Sequence, residues 1–255
     1  LIILRLNFMI QKRAANLLVE CLINQGVDKI YGVPGESYLS VLDALYDFSN
    51  KINFISTRHE SAASFMAEAY GKLTGEVGIC FVTRGPGATN ASIGVHTAMQ
   101  NSSPMILFIG QIGRDMTERE AFQEIDYKAY FGSISKWVVQ VNNADRLPEI
   151  IGRAFSVALS GRPGPVVVSL PEDMLRDLTS AVAINKIQKT CAEISVTQVN
   201  LIKDELEKSK KPLIICGGGG WSDIGRDYLK RFAESVNIPV ICGFRNQDLM
   251  DTNSF

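Results

Sequence analysis

The chain has 255 residues, of which 46% are hydrophobic and 21% are charged, and its formal net charge is −1. These values are typical of a globular protein with a full core, organised as one large or two ordinary domains. They offer no basic footprint for nucleic acid and no block of Lys and Arg for a membrane surface, so neither partner is expected.

The first ten residues, LIILRLNFMI, are apolar but too few to span a bilayer. We interpret Met9 as the start of the folded protein and residues 1–8 as an extension outside it. Apolar residues at helical spacing then predict a helix over residues 10–25, stopped by Gly26. A short strand is predicted at 29–33, and after a turn Ser37 is expected to cap a helix over 38–48.

Residues 53–110 read as strand, helix, strand, helix, strand. The first helix follows Glu60, is expected to carry its apolar face on Ala62, Phe65, Met66, Ala69 and Leu73, and ends at Gly75. The strand at 77–83 is almost continuously apolar, which is typical of a strand buried on both faces. A second helix, rich in small residues, is predicted to begin at Asn90, and a further buried strand covers 104–109. The pattern predicts a parallel α/β sheet.

Residues 110–130 are highly charged and lack a strand pattern, so they could form a functional loop or a solvated surface helix. A strand at 137–141, a helix at 147–159 and a strand at 166–170 complete the first predicted domain, residues 9–177. Residues 178–199 read as a linker. Residues 200–255 then begin a second, Rossmann-like α/β domain, with helices at 200–208 and 223–236 and strands at 212–216 and 238–242.

Three kinds of chemistry are weakly signalled by the residues alone. The five cysteines are scattered without metal-ligand spacing, which predicts buried thiols in a reducing cytoplasm and no metal site. Gly217 to Gly220 could approach a pyrophosphate or could form a plain βα turn. His59, beside a predicted strand end, could be a general acid/base or a structural imidazole.

Glu60 is placed where a predicted strand turns into a helix, at the sheet edge where open α/β proteins bind ligands. The helix end favours the carboxylate, whereas partial burial opposes its charge. The pattern leaves open whether Glu60 is a proton-sharing catalyst or a helix-capping residue.

An ordered series of motifs resembles the pyrimidine-binding domain of thiamine-diphosphate enzymes, and within them the acetolactate synthase large-subunit-like group. The series covers about residues 9–177 and continues weakly to 255. It comprises Pro34-Gly35-Glu36, Arg58-His59-Glu60, Gly85-Pro86-Gly87-Ala88-Thr89-Asn90, Gly110-Gln111, Ala121-Phe122-Gln123-Glu124 and Arg162-Pro163-Gly164-Pro165.

The resemblance implies roles for individual residues. Glu60 matches the catalytic glutamate that hydrogen-bonds N1′ of the cofactor's aminopyrimidine, which promotes loss of the thiazolium C2 proton before a 2-keto acid is decarboxylated. Other matches give Pro34, Gly35 and Gln111 to the cofactor, and Arg162 to FAD. Phe122, Gln123 and Lys136 match positions near the substrate.

The resemblance also implies partners. The cofactor is thiamine diphosphate, whose diphosphate is held with Mg²⁺ in this family by a third domain with a GDG motif, and no GDG occurs here. We therefore expect the chain to need a diphosphate-binding domain and to form a homo-oligomer, a dimer or tetramer. The alternatives are a fragment or a stand-alone pyrimidine-type module that binds or assembles without catalysis. The charged loop at 114–120, with Val33 and Glu36 in the first turn, weakens the assignment of the exact substrate.

Overall fold

The computed structural model describes residues 11–190 and 192–251. The expected extension at residues 1–8 and the proposed start at Met9 lie outside the described residues. The chain forms two compact units, and the division between them falls between Lys189 and Thr190.

The first unit is built on six parallel strands, which confirms the predicted fold class. The strands are β2 Lys29–Gly32, β3 Asn53–Ser56, β4 Gly78–Val82, β5 Met105–Gln111, β6 Trp137–Gln140 and β7 Pro165–Pro171. Their spatial order is β3-β2-β4-β5-β7-β6. Because all six run in the same direction, the loops that follow them share one edge of the sheet, called the carboxyl edge below.

Helices cover both faces of this sheet. They are α1 Ala14–Asn24, α2 Leu39–Asp47, α3 Glu60–Thr74, α4 Pro86–Asn101, α5 Tyr127–Phe131 and α6 Leu147–Leu159. Helices α1, α2 and α6 pack on one face, and α3, α4 and α5 pack on the other. Each face of the sheet has its own hydrophobic core, and alternate residues of β5 belong to the two cores because successive strand side chains point to opposite faces. Phe108 lies in the core beneath α1, α2 and α6, called the first core, and Leu107 lies in the other.

The sequence did not predict a two-stranded antiparallel ribbon, which brings the segment after β7 back beside the segment before α1. It pairs β1, Lys12–Arg13, with β8, Leu178–Thr179. The following segment packs Ile184 and Ile187 against the first core. The early part of the predicted linker therefore belongs to the first unit.

Helix α3 buries a different face from the one that the sequence predicts. Its buried residues are small or polar, namely Ala63, Ser64, Ala67, Glu68 and Gly71. The predicted face is outside, with Phe65, Met66 and Leu73 exposed by 39%, 38% and 83%. The small residues are buried because α3 lies so close to its neighbours that large side chains do not fit between them: a Cβ at Gly71 would lie 2.2 Å from the carbonyl oxygen of Pro104.

The predicted cap of α2 and the predicted start of α4 were wrong. Ser37 does not cap α2: it lies in a 3₁₀ turn over Glu36–Tyr38, and its hydroxyl hydrogen-bonds the Thr83 side chain instead. Helix α4 begins at Pro86 rather than Asn90, because proline suits the first helical turn, where its missing N–H is not needed.

The second unit contains α7 Val196–Lys208, β9 Ile214–Cys216, α8 Asp223–Val236 and β10 Val240–Cys242. Strands β9 and β10 pair in parallel. The glycines that follow β9 form a turn in which Gly218 and Gly220 have positive φ angles of 77° and 86°.

Candidate active site

Glu60 is the first residue of α3, at the carboxyl edge. The helix is capped by the residue before it, since Nδ1 of His59 accepts a hydrogen bond from the amide of Ser61 at 3.2 Å. The His59 ring therefore has the structural role that the sequence left open. It also frees the Glu60 carboxylate from capping, and that carboxylate turns towards α4.

One carboxylate oxygen of Glu60 is held by α4. Oε2 accepts a hydrogen bond from Nδ2 of Asn90 at 2.9 Å. In the described part of the chain, no hydrogen bond reaches Oε1. That oxygen faces Gly87, where an added Cβ would lie 3.4 Å from it. Glu60 thus presents one anchored oxygen and one that can accept a hydrogen bond from a ligand.

The turn at Gly85, Pro86 and Gly87 brings backbone close to this carboxylate. Gly85 has a φ of 53° and a ψ of −108°, which a side chain would strain. Its amide donates to the Tyr127 hydroxyl at 3.0 Å. An added Cβ at Gly85 would lie 2.7 Å from Cβ of Gln123, so the later loop covers the turn.

The turn after β2 docks on the same segment. Gly35 lies against Thr83, where an added Cβ would come within 2.5 Å of the threonine Cβ. Pro34 is exposed beside it. Pro34, Gly35 and Glu60 thus lie at one edge of the sheet.

Arg84 was missed by sequence reasoning. Its side chain is only 11% exposed, and it pairs with Glu36 at 2.9 Å and with Glu172 at 3.1 Å. The guanidinium therefore ties three carboxyl-edge turns together, although its buried Nε has no hydrogen-bond partner. An arginine directly after a buried strand was the available signal.

Residues 112–126 form a loop rather than a surface helix, interrupted by one 3₁₀ turn at Arg114–Met116. Gln111, at the end of β5, is 5% exposed and donates to the carbonyl of Ile125 at 3.0 Å. It lines a cavity of about 250 Å³ beneath this loop. Phe122 is 79% exposed, and Gln123 has a φ of 67°.

Lys136 and Arg162 lie at the opposite, amino edge of the sheet. Lys136 precedes β6, and its ammonium donates to the carbonyls of Val157 and Ser160, at 2.8 Å for the latter. Burial lowers the pKa of Lys136. Arg162 donates to Ser102 at 2.7 Å and to carbonyls at the end of α4. Within this unit the structure does not bring these two residues together with Glu60.

Within residues 11–190 and 192–251, no group of three or more His, Cys, Asp or Glu side chains could hold a metal ion. None of the helices described for these residues combines the length and the apolar character needed to cross a membrane.

The parallel α/β fold of the first unit is that expected for a thiamine-cofactor domain, and comparison with known proteins shows the family. The model "Thiamine pyrophosphate enzyme, N-terminal TPP binding domain" matches residues 12–130. The model "Thiamine pyrophosphate enzyme, central domain" matches residues 199–254. The chain belongs to the thiamine pyrophosphate enzyme family.

Curated relatives are acetolactate synthases. The chain is 36% identical over 234 residues to the acetolactate synthase isozyme 3 large subunit of Escherichia coli (strain K12), covering 89% of this chain and 41% of that protein. It is 38% identical over 232 residues to the large subunit of Buchnera aphidicola subsp. Schizaphis graminum (strain Sg), covering 89% and 40%. The chain spans about two fifths of the length of these relatives.

Proposed function

We propose that this protein is part of a thiamine-diphosphate-dependent carboligase or decarboxylase acting on 2-keto acids, with pyruvate condensation to acetolactate as the leading reaction. The observation that carries the proposal is Glu60, which keeps one carboxylate oxygen unpaired at the carboxyl edge. The relatives named acetolactate synthase support the choice of reaction.

The residues present fit the pyrimidine half of the cofactor. The unpaired Oε1 of Glu60 can accept a hydrogen bond from a protonated ring nitrogen, and Gly87 puts no side chain against it, since an added Cβ there would lie 3.4 Å from Oε1. When bound, thiamine diphosphate supplies a carbon nucleophile and an electron sink for the carbanion left by decarboxylation. Glu60 holds and shares the proton on the ring nitrogen, which is general acid–base catalysis by a positioned carboxylate.

The remaining residue assignments are part of the proposal. Pro34, Gly35 and Gln111 contact the cofactor, and Phe122 and Gln123 border the substrate. Their common position at the carboxyl edge supports this. The assignments of Lys136 to the substrate and of Arg162 to FAD rest on the resemblance alone. Both residues lie at the amino edge, so these contacts require ligands or chain segments other than those at the carboxyl edge.

The proposal includes partners. Mg²⁺ and the diphosphate are held by a diphosphate-binding domain. A second copy of the chain covers the exposed face of α3, since Phe65, Met66 and Leu73 form an apolar surface that a homo-oligomer would bury.

A reducing cytoplasm fits the free and buried thiols of Cys21 and Cys80. Burial raises the pKa of Cys21 to about 11, which makes it unreactive.

The test uses the complete protein, expressed from its whole open reading frame, with thiamine diphosphate and Mg²⁺. Exchange of the cofactor's C2 proton with deuterium is measured by rapid quench and NMR, and acetolactate formation from pyruvate is measured in parallel. Glu60→Gln should slow the exchange by on the order of 100-fold or more. Glu76→Gln, an exposed glutamate just beyond the far end of α3, is the control and should exchange like the wild type.

Normal exchange in Glu60→Gln would overturn the mechanism. A wild-type protein that neither binds the cofactor nor accelerates exchange would instead favour a stand-alone module for binding or assembly.

A further inference from the structure

Asn90 makes the one side-chain hydrogen bond to Glu60 that is seen in the described part of the chain. It is the fifth residue of α4, and Glu60 is the first residue of α3. Neither the motif analysis nor the family comparison gives Asn90 a role. The amide is a neutral donor with no proton to lose, so it can orient a carboxylate without competing for the shared proton.

The contact is fixed in place by the packing of the two helices. One helical turn further along, Gly94 of α4 meets Ser64 of α3, and an added Cβ at Gly94 would lie 2.3 Å from the serine hydroxyl oxygen. Near the far end, Nδ2 of Asn101 donates to Oε1 of Glu68 at 2.9 Å. The helices therefore lie side by side in the same direction, and this packing keeps the backbone of Asn90 beside Glu60.

Because Asn90 holds Oε2 of Glu60, Oε1 is the carboxylate oxygen left to bind a ligand. With Oε2 hydrogen-bonded to Asn90, the carboxylate has one preferred orientation, in which Oε1 points to the Gly87 side. A catalytic group must be held within a fraction of an ångström of its productive geometry, because small misplacements cost large factors in rate.

We infer that Asn90 is a positioning residue that fixes the Glu60 carboxylate and selects Oε1 as the oxygen offered to the cofactor's ring nitrogen. The inference rests on the proposed function. It adds a residue of α4 to a site whose chemistry is otherwise assigned to α3, and it gives the start of α4 a reason to lie where it does.

Asn101 offers a matched control, because Asn90→Ala and Asn101→Ala each remove an amide of α4 that donates to a glutamate of α3. Only the first glutamate is Glu60. Loss of helix bracing alone would affect both variants in the free energy of unfolding and would leave the chemistry unchanged.

Three quantities are measured on the complete protein: the free energy of unfolding, the Kd for thiamine diphosphate by calorimetry, and the C2 exchange rate of the bound cofactor. Asn90→Ala should slow exchange about tenfold at saturating cofactor, the size expected for one hydrogen bond to a charged group. Asn90→Asp, which has the same shape but places a second carboxylate against Oε2, should slow it further. Asn101→Ala should exchange at the wild-type rate.

Wild-type exchange in both Asn90 variants, while Glu60→Gln remains slow, would overturn the inference and leave the proposed function standing. Equal slowing in Asn90→Ala and Asn101→Ala would also overturn it, because the effect would then come from helix packing. Absence of exchange in the wild type would count against the proposed function and, with it, this inference.

Discussion

The backbone amide of Gly85 donates a hydrogen bond to the hydroxyl of Tyr127 at 3.0 Å. Tyr127 is 3% exposed, and burial raises its pKa to about 12, so the hydroxyl stays protonated at neutral pH. Tyr127→Phe leaves the Gly85 amide buried without a partner. We expect the free energy of unfolding to fall by about 1–3 kcal/mol in urea titration.

The neighbouring tyrosine provides the control for this loss. Tyr130 is 40% exposed, and its hydroxyl lies 3.5 Å from Ser92, too long for a strong hydrogen bond. Tyr130→Phe should therefore change stability by less than about 0.5 kcal/mol. If both variants are equally stable, the Gly85–Tyr127 bond contributes nothing.

Arg84→Lys should destabilise the first unit, because an ammonium cannot reach Glu36 and Glu172 in the geometry of the planar guanidinium. We expect a loss of about 2 kcal/mol in chemical denaturation. Glu36→Gln removes only the charge of the more exposed carboxylate, at 69% side-chain exposure, and should cost less than about 1 kcal/mol. The reverse order would show that Arg84 does not act through both contacts.

Gly94→Ala should destabilise the pairing of α3 with α4. The new methyl group would lie 2.3 Å from the Ser64 hydroxyl oxygen and 2.7 Å from its backbone carbon, so the helices must separate. Overpacking of this kind costs about 1–3 kcal/mol, more than the helix propensity gained from alanine. His96→Ala, at an exposed site on the same helix, is the control. A Gly94→Ala melting temperature at or above the wild-type value would contradict the close contact.

Acid should weaken the anchor of the charged loop. Burial alone would raise the pKa of Asp173, but hydrogen bonds from Arg114 outweigh it and lower that pKa below its ordinary 3.8. A carboxyl pKa depressed in the folded state contributes stability above 3.8 that is lost as the pH falls through the lower folded value. Arg114→Ala should therefore flatten this acid-dependent loss in denaturation measured at a series of pH values.

Arg119, exposed in the same loop, is the control, and Arg119→Ala should keep the wild-type profile. Identical profiles for the two arginine variants would show that Asp173 does not depend on Arg114.

The parallel sheet could be predicted because its central strands β4, β5 and β7 are nearly continuous apolar runs. Helices α6 and α8 were predicted with their observed bounds because their apolar periodicity is strong. Helix α3 was assigned the wrong face, since hydrophobicity selected its large apolar residues while the packing selected its small ones. The role of Gly94 in the same tight packing is not visible in the sequence, where a glycine within a helix is only a poor helix former.

The candidate site was predictable in part. The sequence indicated Glu60 and the turns that follow the strands, because strand ends of a parallel sheet share an edge. It could not show Asn90 or Arg84, whose partners lie 30 residues or more away in the chain. By contrast, the place of Lys136 at the amino edge follows from the strand predicted at 137–141, which begins at the next residue.

Helix α4 connects two chemically distinct edges of the first unit. Its first turns contact Glu60, and its last carbonyls accept hydrogen bonds from Arg162. Sixteen residues at about 1.5 Å each separate these ends by roughly 24 Å. Substitutions at the two ends share no partner, so their energetic effects should add. Evolution or engineering can therefore change the Arg162 end of this helix without disturbing the Glu60 carboxylate at its first turns.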